Sequence, residues 1–267
     1  MTGPCPSLGS PDRPDNLGFG REERRRLNVE IYHNRVPFRD AFRSMLESVN
    51  EKYTFDECRE IVKKSALRRS SPPDAADIKL DPGFAEFFKW TKSVGIPVVV
   101  VSSGMEPIIR AIFANLIGEE DAKQLDIISN YVDVRDDGHF SVRFRHPESH
   151  FGHDKSKALR PYAELPKDQR PGILFCGDGV SDLSAAGEGD VLFAKVIPGG
   201  SNDLARHCDK EKIPYLPFLS FTQVLEHTRE LVAGKVTLCV LAIGDADLAA
   251  PISGLARSRR RTRWSRR

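Results

Sequence analysis

Asp178 and Asp182 lie four residues apart in the string Gly172-Ile-Leu-Phe-Cys-Gly-Asp-Gly-Val-Ser-Asp-Leu-Ser-Ala-Ala186. Carboxylates are hard oxygen donors. This spacing on a strand-to-helix turn suits a hard cation facing a phosphate, with Asp178 as the metal ligand and Asp182 behind it. The plainer alternative is a turn that the Gly-Asp pair merely shapes. Ser181, between the two acids, stands where a helix N-cap would and is a candidate phosphate contact. A second group is Ser102-Ser103-Gly104. Small hydroxyl residues and a glycine between a strand and a helix N-terminus can hold phosphate oxygens through hydroxyl and amide hydrogens. A capping role alone would also fit Ser102. His146, His150, His153 and Asp154 crowd one loop. They are metal-ligand types, but no cysteine joins them, and the reading taken is surface histidines or histidines supporting a site from behind.

These groups need elements to hold them. Ile173 to Cys176 is apolar without alternation, as in a strand covered on both faces of a parallel sheet. Gly177 and Gly179 allow a sharp reversal around Asp178, which puts that carboxylate at the carboxyl end of a buried strand, where open α/β sheets place their ligands. Ile96 to Val101 is a second such run and delivers Ser102 to a helix over 107–116. Further strands are expected at 191–196 and 213–217, and helices at 82–93, 202–208 and 221–232. Residues 126–144 alternate as paired strands with a turn at Asp137-Gly138. The β-α alternation over 79–232 predicts an α/β fold with a Rossmann-like parallel sheet core. Upstream, 16–34 reads as helical. Phe38, Ala41, Phe42, Met45, Leu46 and Val49 make one buried stripe, and Thr54 with Glu57 opens a third helix to Lys64. Residues 16–64 are thus a small helical unit. Residues 1–15, with four prolines, are expected to be disordered, 65–78 to be an inserted loop or linker, and 233–267 to be an irregular arginine-rich tail.

The string around Asp178 resembles the fourth motif of the haloacid dehalogenase superfamily phosphatases, Gly-Asp-Gly-x-[Asn/Ser/Thr]-Asp. The likeness is to the phosphoserine-phosphatase-like branch, including phosphatases of methylthio-pentenyl phosphate type, and covers roughly 16–64 and 79–232. It implies that 16–64 is the cap closing over the active site and that Ser102 is the second motif. Lys155 is similar to the third motif, since Leu159 follows on the next helix; its ammonium would offset the charge of phosphate and carboxylates, with Lys157 as the alternative. The resemblance also implies Mg²⁺, held by a first-motif Asp, by a backbone carbonyl two residues later and by Asp178. That first motif, Asp-x-Asp-x-Thr after an apolar strand, would supply the attacking carboxylate and the general acid and base. It should lie before Asn16, where the chain reads Pro11-Asp12-Arg13-Pro14-Asp15. Asp12 and Asp15 are three apart, follow no apolar strand and are not accepted as substitutes. The central first strand of the sheet is therefore expected to be missing, its neighbours ending at Ser102 and Cys176. A start placed too late, with an intron retained near Ser65 and an off-frame tail after Gly234, is one explanation; a pseudo-phosphatase is another. Where the related phosphoserine phosphatases carry an arginine seven residues after the phenylalanine matching Phe38, this chain has Met45, so a serine-phosphate substrate is not expected.

At 267 residues, 40% hydrophobic and 29% charged, the chain has the composition of an ordinary globular protein with a sizeable core. Seven arginines between Arg257 and Arg267 exceed the net charge of +2, so the rest of the chain is mildly acidic. Five scattered cysteines without a Cys-x-x-Cys pair point to a reducing, cytoplasmic setting. The apolar run Val236 to Ile243 is too short to span a bilayer. The functional expectation is a phosphomonoesterase of this superfamily that acts on a small phosphomonoester and, without its nucleophile, is inactive. The alternative is a non-catalytic binder of a phosphate-bearing ligand. Nucleic-acid binding through the arginine tail has only that tail behind it.

Overall fold

Ladder hydrogen bonds tie together β1 (Thr2–Gly3), β2 (Val99–Met105), β3 (Asp126–Val134), β4 (Phe140–Arg143), β5 (Leu174–Gly177), β6 (Val191–Lys195) and β7 (Leu216–Phe218) in the order β4-β3-β2-β1-β5-β6-β7. The structure is a computed structural model that describes residues 2–3, 17–67, 81–166, 168–200 and 202–238. All neighbouring strands are parallel except β3 and β4, an antiparallel hairpin whose turn carries Gly138 at φ 82°. Along β5 and β6 the side chains alternate faces. Leu174, Cys176 and Phe193 meet Phe84, Phe87, Phe113 and Phe221 on one side, while Phe175, Leu192 and Ala194 meet Leu159, Leu204 and Cys208 on the other. Helices therefore cover both faces, which is why these strands read as uninterrupted apolar runs.

One expectation is corrected at the centre of the sheet. The slot between β2 and β5 is filled by β1, with Thr2 opposite Val99, Gly3 opposite Val100, and Thr2 opposite Phe175. Ladder bonds come from the backbone, so a segment with no apolar pattern can satisfy strand edges that would otherwise be exposed in the middle of the core. Thr2 and Gly3 are accordingly part of the sheet rather than of a disordered terminus; residues 4–16 lie outside the described residues, as do 68–80 and 239–267.

The helices are α1 (Arg21–Tyr32), α2 (Phe38–Asn50), α3 (Phe55–Leu67), α4 (Pro82–Ser93), α5 (Glu106–Ile117), α6 (Glu119–Gln124), α7 (Ser156–Ala163), α8 (Asp203–Glu211) and α9 (Phe221–Val232). At the start of α3, Thr54 N–H donates to Glu57 Oε2 at 2.8 Å and Glu57 N–H returns to Thr54 Oγ1, the reciprocal cap expected from the sequence. This helix runs three residues beyond Lys64, past the boundary expected for the linker. The stripe Phe38, Ala41, Phe42, Met45, Leu46, Val49 is buried as foreseen. Its cluster also takes in Phe140 and Phe144 from the β3–β4 arm, Met105, Ile108 and Ile112 from the core, and Val180. Helices α1 to α3 therefore rest on the carboxyl end of the sheet, above the Asp178 turn.

Asp81 joins distant parts of this core. It is 5% exposed and accepts Gly83 N–H (3.0 Å) at the start of α4, Phe221 N–H (3.1 Å) at the start of α9, and Lys195 Nζ (2.7 Å) from β6.

Candidate active site

Beyond β5 the chain turns so tightly that a Cβ on Gly177 would fall 2.9 Å from Cβ and Cγ of Asp182 and 2.7 Å from Leu204 Cδ2. Close approach, not a left-handed backbone, is what this glycine provides. Gly179 is extended, at φ −139°. Asp182 folds back under the turn: its Oδ2 accepts the amides of Asp178 (3.0 Å) and Gly179 (3.1 Å), and its Oδ1 accepts Lys155 Nζ at 2.6 Å. Both side chains of that ion pair are buried, at 7% and 3% exposure. A carboxylate that captures nearby amides competes with regular helix, and the segment Val180–Ala185 is a 3-10 helix rather than the expected α-helix. The cap position is Gly179, so Ser181 is not the N-cap; it lies half-buried inside the 3-10 turn.

The second group forms where β2 leaves the ladder. Its register with β3 breaks between Val101 and Met105, which releases Ser102, Ser103 and Gly104 from regular pairing. Ser102 Oγ accepts Gly104 N–H at 3.1 Å. The carbonyl of Ser102 is bonded to His153 Nδ1 at 2.7 Å, and the carbonyl of Ser103 accepts Asn130 Nδ2 at 2.8 Å. A carbonyl can only accept, so His153 carries its proton on Nδ1. Burial lowers the pKa of this wholly buried imidazole to about 3, which keeps it neutral.

Segment 153–155 thus touches both groups, His153 on the Ser102 peptide and Lys155 on Asp182. Ser102, Lys155 and the Asp178 turn are linked at the carboxyl ends of β2 and β5. Lys157 is exposed and bonded to Glu148. Within the histidine loop His146 Nδ1 accepts Asp154 N–H at 3.1 Å, Asp154 accepts Ser156 N–H, and His153 is buried behind Ser102, the supporting place that the sequence reading allowed. Asn130 was not foreseen. The signal was there, since asparagine is disfavoured in strands and this one sits fully buried in β3.

Magnesium takes six oxygen donors, usually one or two carboxylates together with substrate phosphates and several waters. Among the described residues no three His, Cys, Asp or Glu side chains converge. Asp182 is committed to Lys155 and two amides, and Asp178 is the other acid of this turn. This donor set does not by itself fit Mg²⁺. Asp12 and Asp15 lie outside the described residues. So does Asp245-Ala-Asp247, the one Asp-x-Asp pair of the chain, where Ala249 stands in the position a threonine would take.

The family model for haloacid dehalogenase-like hydrolases matches residues 12–187. "Pdp3-interacting factor 1" of Schizosaccharomyces pombe is 42% identical over 217 residues, 81% of this chain and 86% of that protein. "Polyol phosphate phosphatase PYP1" of Saccharomyces cerevisiae is 37% identical over 233 residues, covering 85% and 89%. The 2-hydroxy-3-keto-5-methylthiopentenyl-1-phosphate phosphatase of Bacillus cereus is 27% identical over 159 residues, 58% of this chain and 65% of that one. A substrate-bound phosphoserine phosphatase structure superposes with TM-score 0.55 at 16% identity, over 88% of this chain and 94% of that one. A phospho-aspartyl intermediate analogue of phosphoserine phosphatase superposes with TM-score 0.53 at 18% identity, over 81% and 90%. Those two structures share the fold.

Proposed function

The chain belongs to the haloacid dehalogenase-like hydrolases, and from that membership we propose that its site at the carboxyl ends of β2 and β5 takes the phosphoryl group of a small phosphomonoester. The observation behind this reading is the buried Lys155–Asp182 pair seated on the Asp178 and Gly179 amides. An ammonium has three N–H donors and the bond to Asp182 uses one, so Lys155 retains donors for phosphate oxygens while Asp182 fixes its position. Ser102 Oγ and the Ser103 amide would hold further oxygens, with the Gly104 amide bonded to Ser102 Oγ and Ser181 at the rim.

A neutral leaving group, such as a polyhydroxy alcohol, suits this cap. Met45 is buried in the apolar cluster, Arg39 is bonded to Asp40 and the Pro147 carbonyl, and Arg43 stacks over Phe144, so these α2 cations are engaged elsewhere. The yeast relative named for polyol phosphates supports the same substrate class. The chain contains no Asp-x-Asp-x-Thr, and we read it as binding phosphomonoesters without hydrolysing them. Calorimetry should therefore detect inorganic phosphate and a polyol phosphate competing for one site, weakened at least tenfold by Lys155→Met, which removes a charged hydrogen bond of about 1.5–3 kcal/mol. Turnover of p-nitrophenyl phosphate that disappears in Asp178→Ala would show that the nucleophile is supplied after all. Absence of any phosphate or phosphomonoester binding would remove the reading altogether.

A further inference from the structure

Two fully buried side chains grip successive peptide groups of the segment 102–104, and neither belongs to the residues proposed to touch phosphate. His153 Nδ1 donates to the Ser102 carbonyl (2.7 Å), and Asn130 Nδ2 donates to the Ser103 carbonyl (2.8 Å). A trans peptide is planar, with its C=O and the following N–H pointing in opposite directions, and none of the peptide bonds is cis. Holding the Ser102 carbonyl against His153 therefore turns the Ser103 N–H away from His153. Holding the Ser103 carbonyl against Asn130 turns the Gly104 N–H away from Asn130, toward Ser102 Oγ, which it meets at 3.1 Å. Elsewhere in β2 the neighbouring strand would fix these planes, but the register breaks here, and the two side chains replace the missing ladder. Both are anchored in turn: Asn130 Oδ1 accepts Arg145 N–H at 2.9 Å, and His153 is wholly buried beside His146. Two buried polar atoms of these residues, Ser103 Oγ and His153 Nε2, lack a hydrogen-bond partner among the described residues.

We propose that His153 and Asn130 are positioning residues that aim the Ser103 amide and Ser102 Oγ, the latter steadied by the Gly104 amide, at the phosphoryl group. The inference rests on the phosphate reading of this site. Preorganised donors bind an anion better than mobile ones because no reorganisation accompanies binding. Asparagine can place its Nδ2 close to where histidine has Nδ1, whereas leucine offers no donor.

The test uses the full chain and inorganic phosphate as the probe, with calorimetry and ¹⁵N-resolved amide spectra. His153→Leu should weaken phosphate about tenfold, the scale of losing one hydrogen bond and leaving its carbonyl unpaired, and His153→Asn should restore most of the affinity. In the unaltered chain, which needs no variant to fold, the Ser103 and Gly104 amide resonances should be among those most shifted by phosphate. Equal affinity in the unaltered chain and a folded His153→Leu variant overturns the inference alone. So does phosphate binding that leaves those two amides unmoved. Absence of phosphate binding by the unaltered chain overturns the site reading, and this inference with it.

Discussion

His153 illustrates what burial does to one residue. Water stabilises imidazolium; the interior does not, so desolvation is the largest cause of its low pKa, and Lys155, His146 and Arg145 add to it. In the unfolded chain the same group titrates at its ordinary 6.5, and in the folded protein at about 3. As pH falls, the unfolded state takes up the proton first. The stabilisation is complete above pH 6.5 and is lost progressively from there down to about 3, at up to about 1.4 kcal/mol per pH unit. Urea unfolding measured across pH 4 to 7 should show this slope, and His153→Asn should flatten it. An unchanged slope in that variant would assign the acid sensitivity to other groups.

The turn after β5 makes its demands at the scale of an element. Gly177 and Gly179 look equivalent in the sequence, each flanking Asp178, but only the first is crowded. A methyl group on Gly177 would strike Asp182 and Leu204, whereas a Cβ on Gly179 has nothing within 4 Å. Gly177→Ala should cost about 1–3 kcal/mol of stability as an overpacked site and, by displacing Asp182, loosen Lys155 and weaken phosphate binding. Gly179→Ala, in extended backbone, should stay within about 0.5 kcal/mol of the unaltered protein. Denaturant melts and phosphate calorimetry on the two variants decide this, and similar behaviour of both would contradict the close-approach account of the turn.

Over the whole molecule, Asp81 holds together α4, α9 and β6, elements far apart in the chain. Removing it strands the buried Lys195 ammonium and leaves the Gly83 and Phe221 amides without their acceptor. Asp81→Ala should therefore cost about 3–5 kcal/mol, the range for breaking a buried ion pair. Lys195→Met should cost less, because two amides still hold the carboxylate. Equilibrium unfolding in urea, with the order of the two variants reversed, would refute this. The central strand also belongs to this scale. The missing-strand expectation came from the family resemblance and the lack of an apolar run before Asn16, but a sheet asks only for backbone, and Thr2–Gly3 meets that requirement over two residues.

Periodicity is local, and so the elements are legible in the amino-acid order alone: helices over 82–93 and 221–232 end where expected, the Asp137-Gly138 turn joins β3 to β4, and β2, β5 and β6 follow their apolar runs to within a few residues. Ser102 and Asp178 stand out for the same reason, each placed where a strand meets a helix, whereas Lys155 is picked out only by the family resemblance. Which groups hold Ser102 and Lys155 is not legible there, because the bonds that do so join residues 51 and 27 positions apart. Partner choice across such separations depends on how the layers stack and which polar groups they leave dry. Only the tertiary structure decided that Asp182 serves Lys155 and the turn amides, that His153 and Asn130 hold the Ser102–Gly104 peptides, and that the centre of the sheet is not left open.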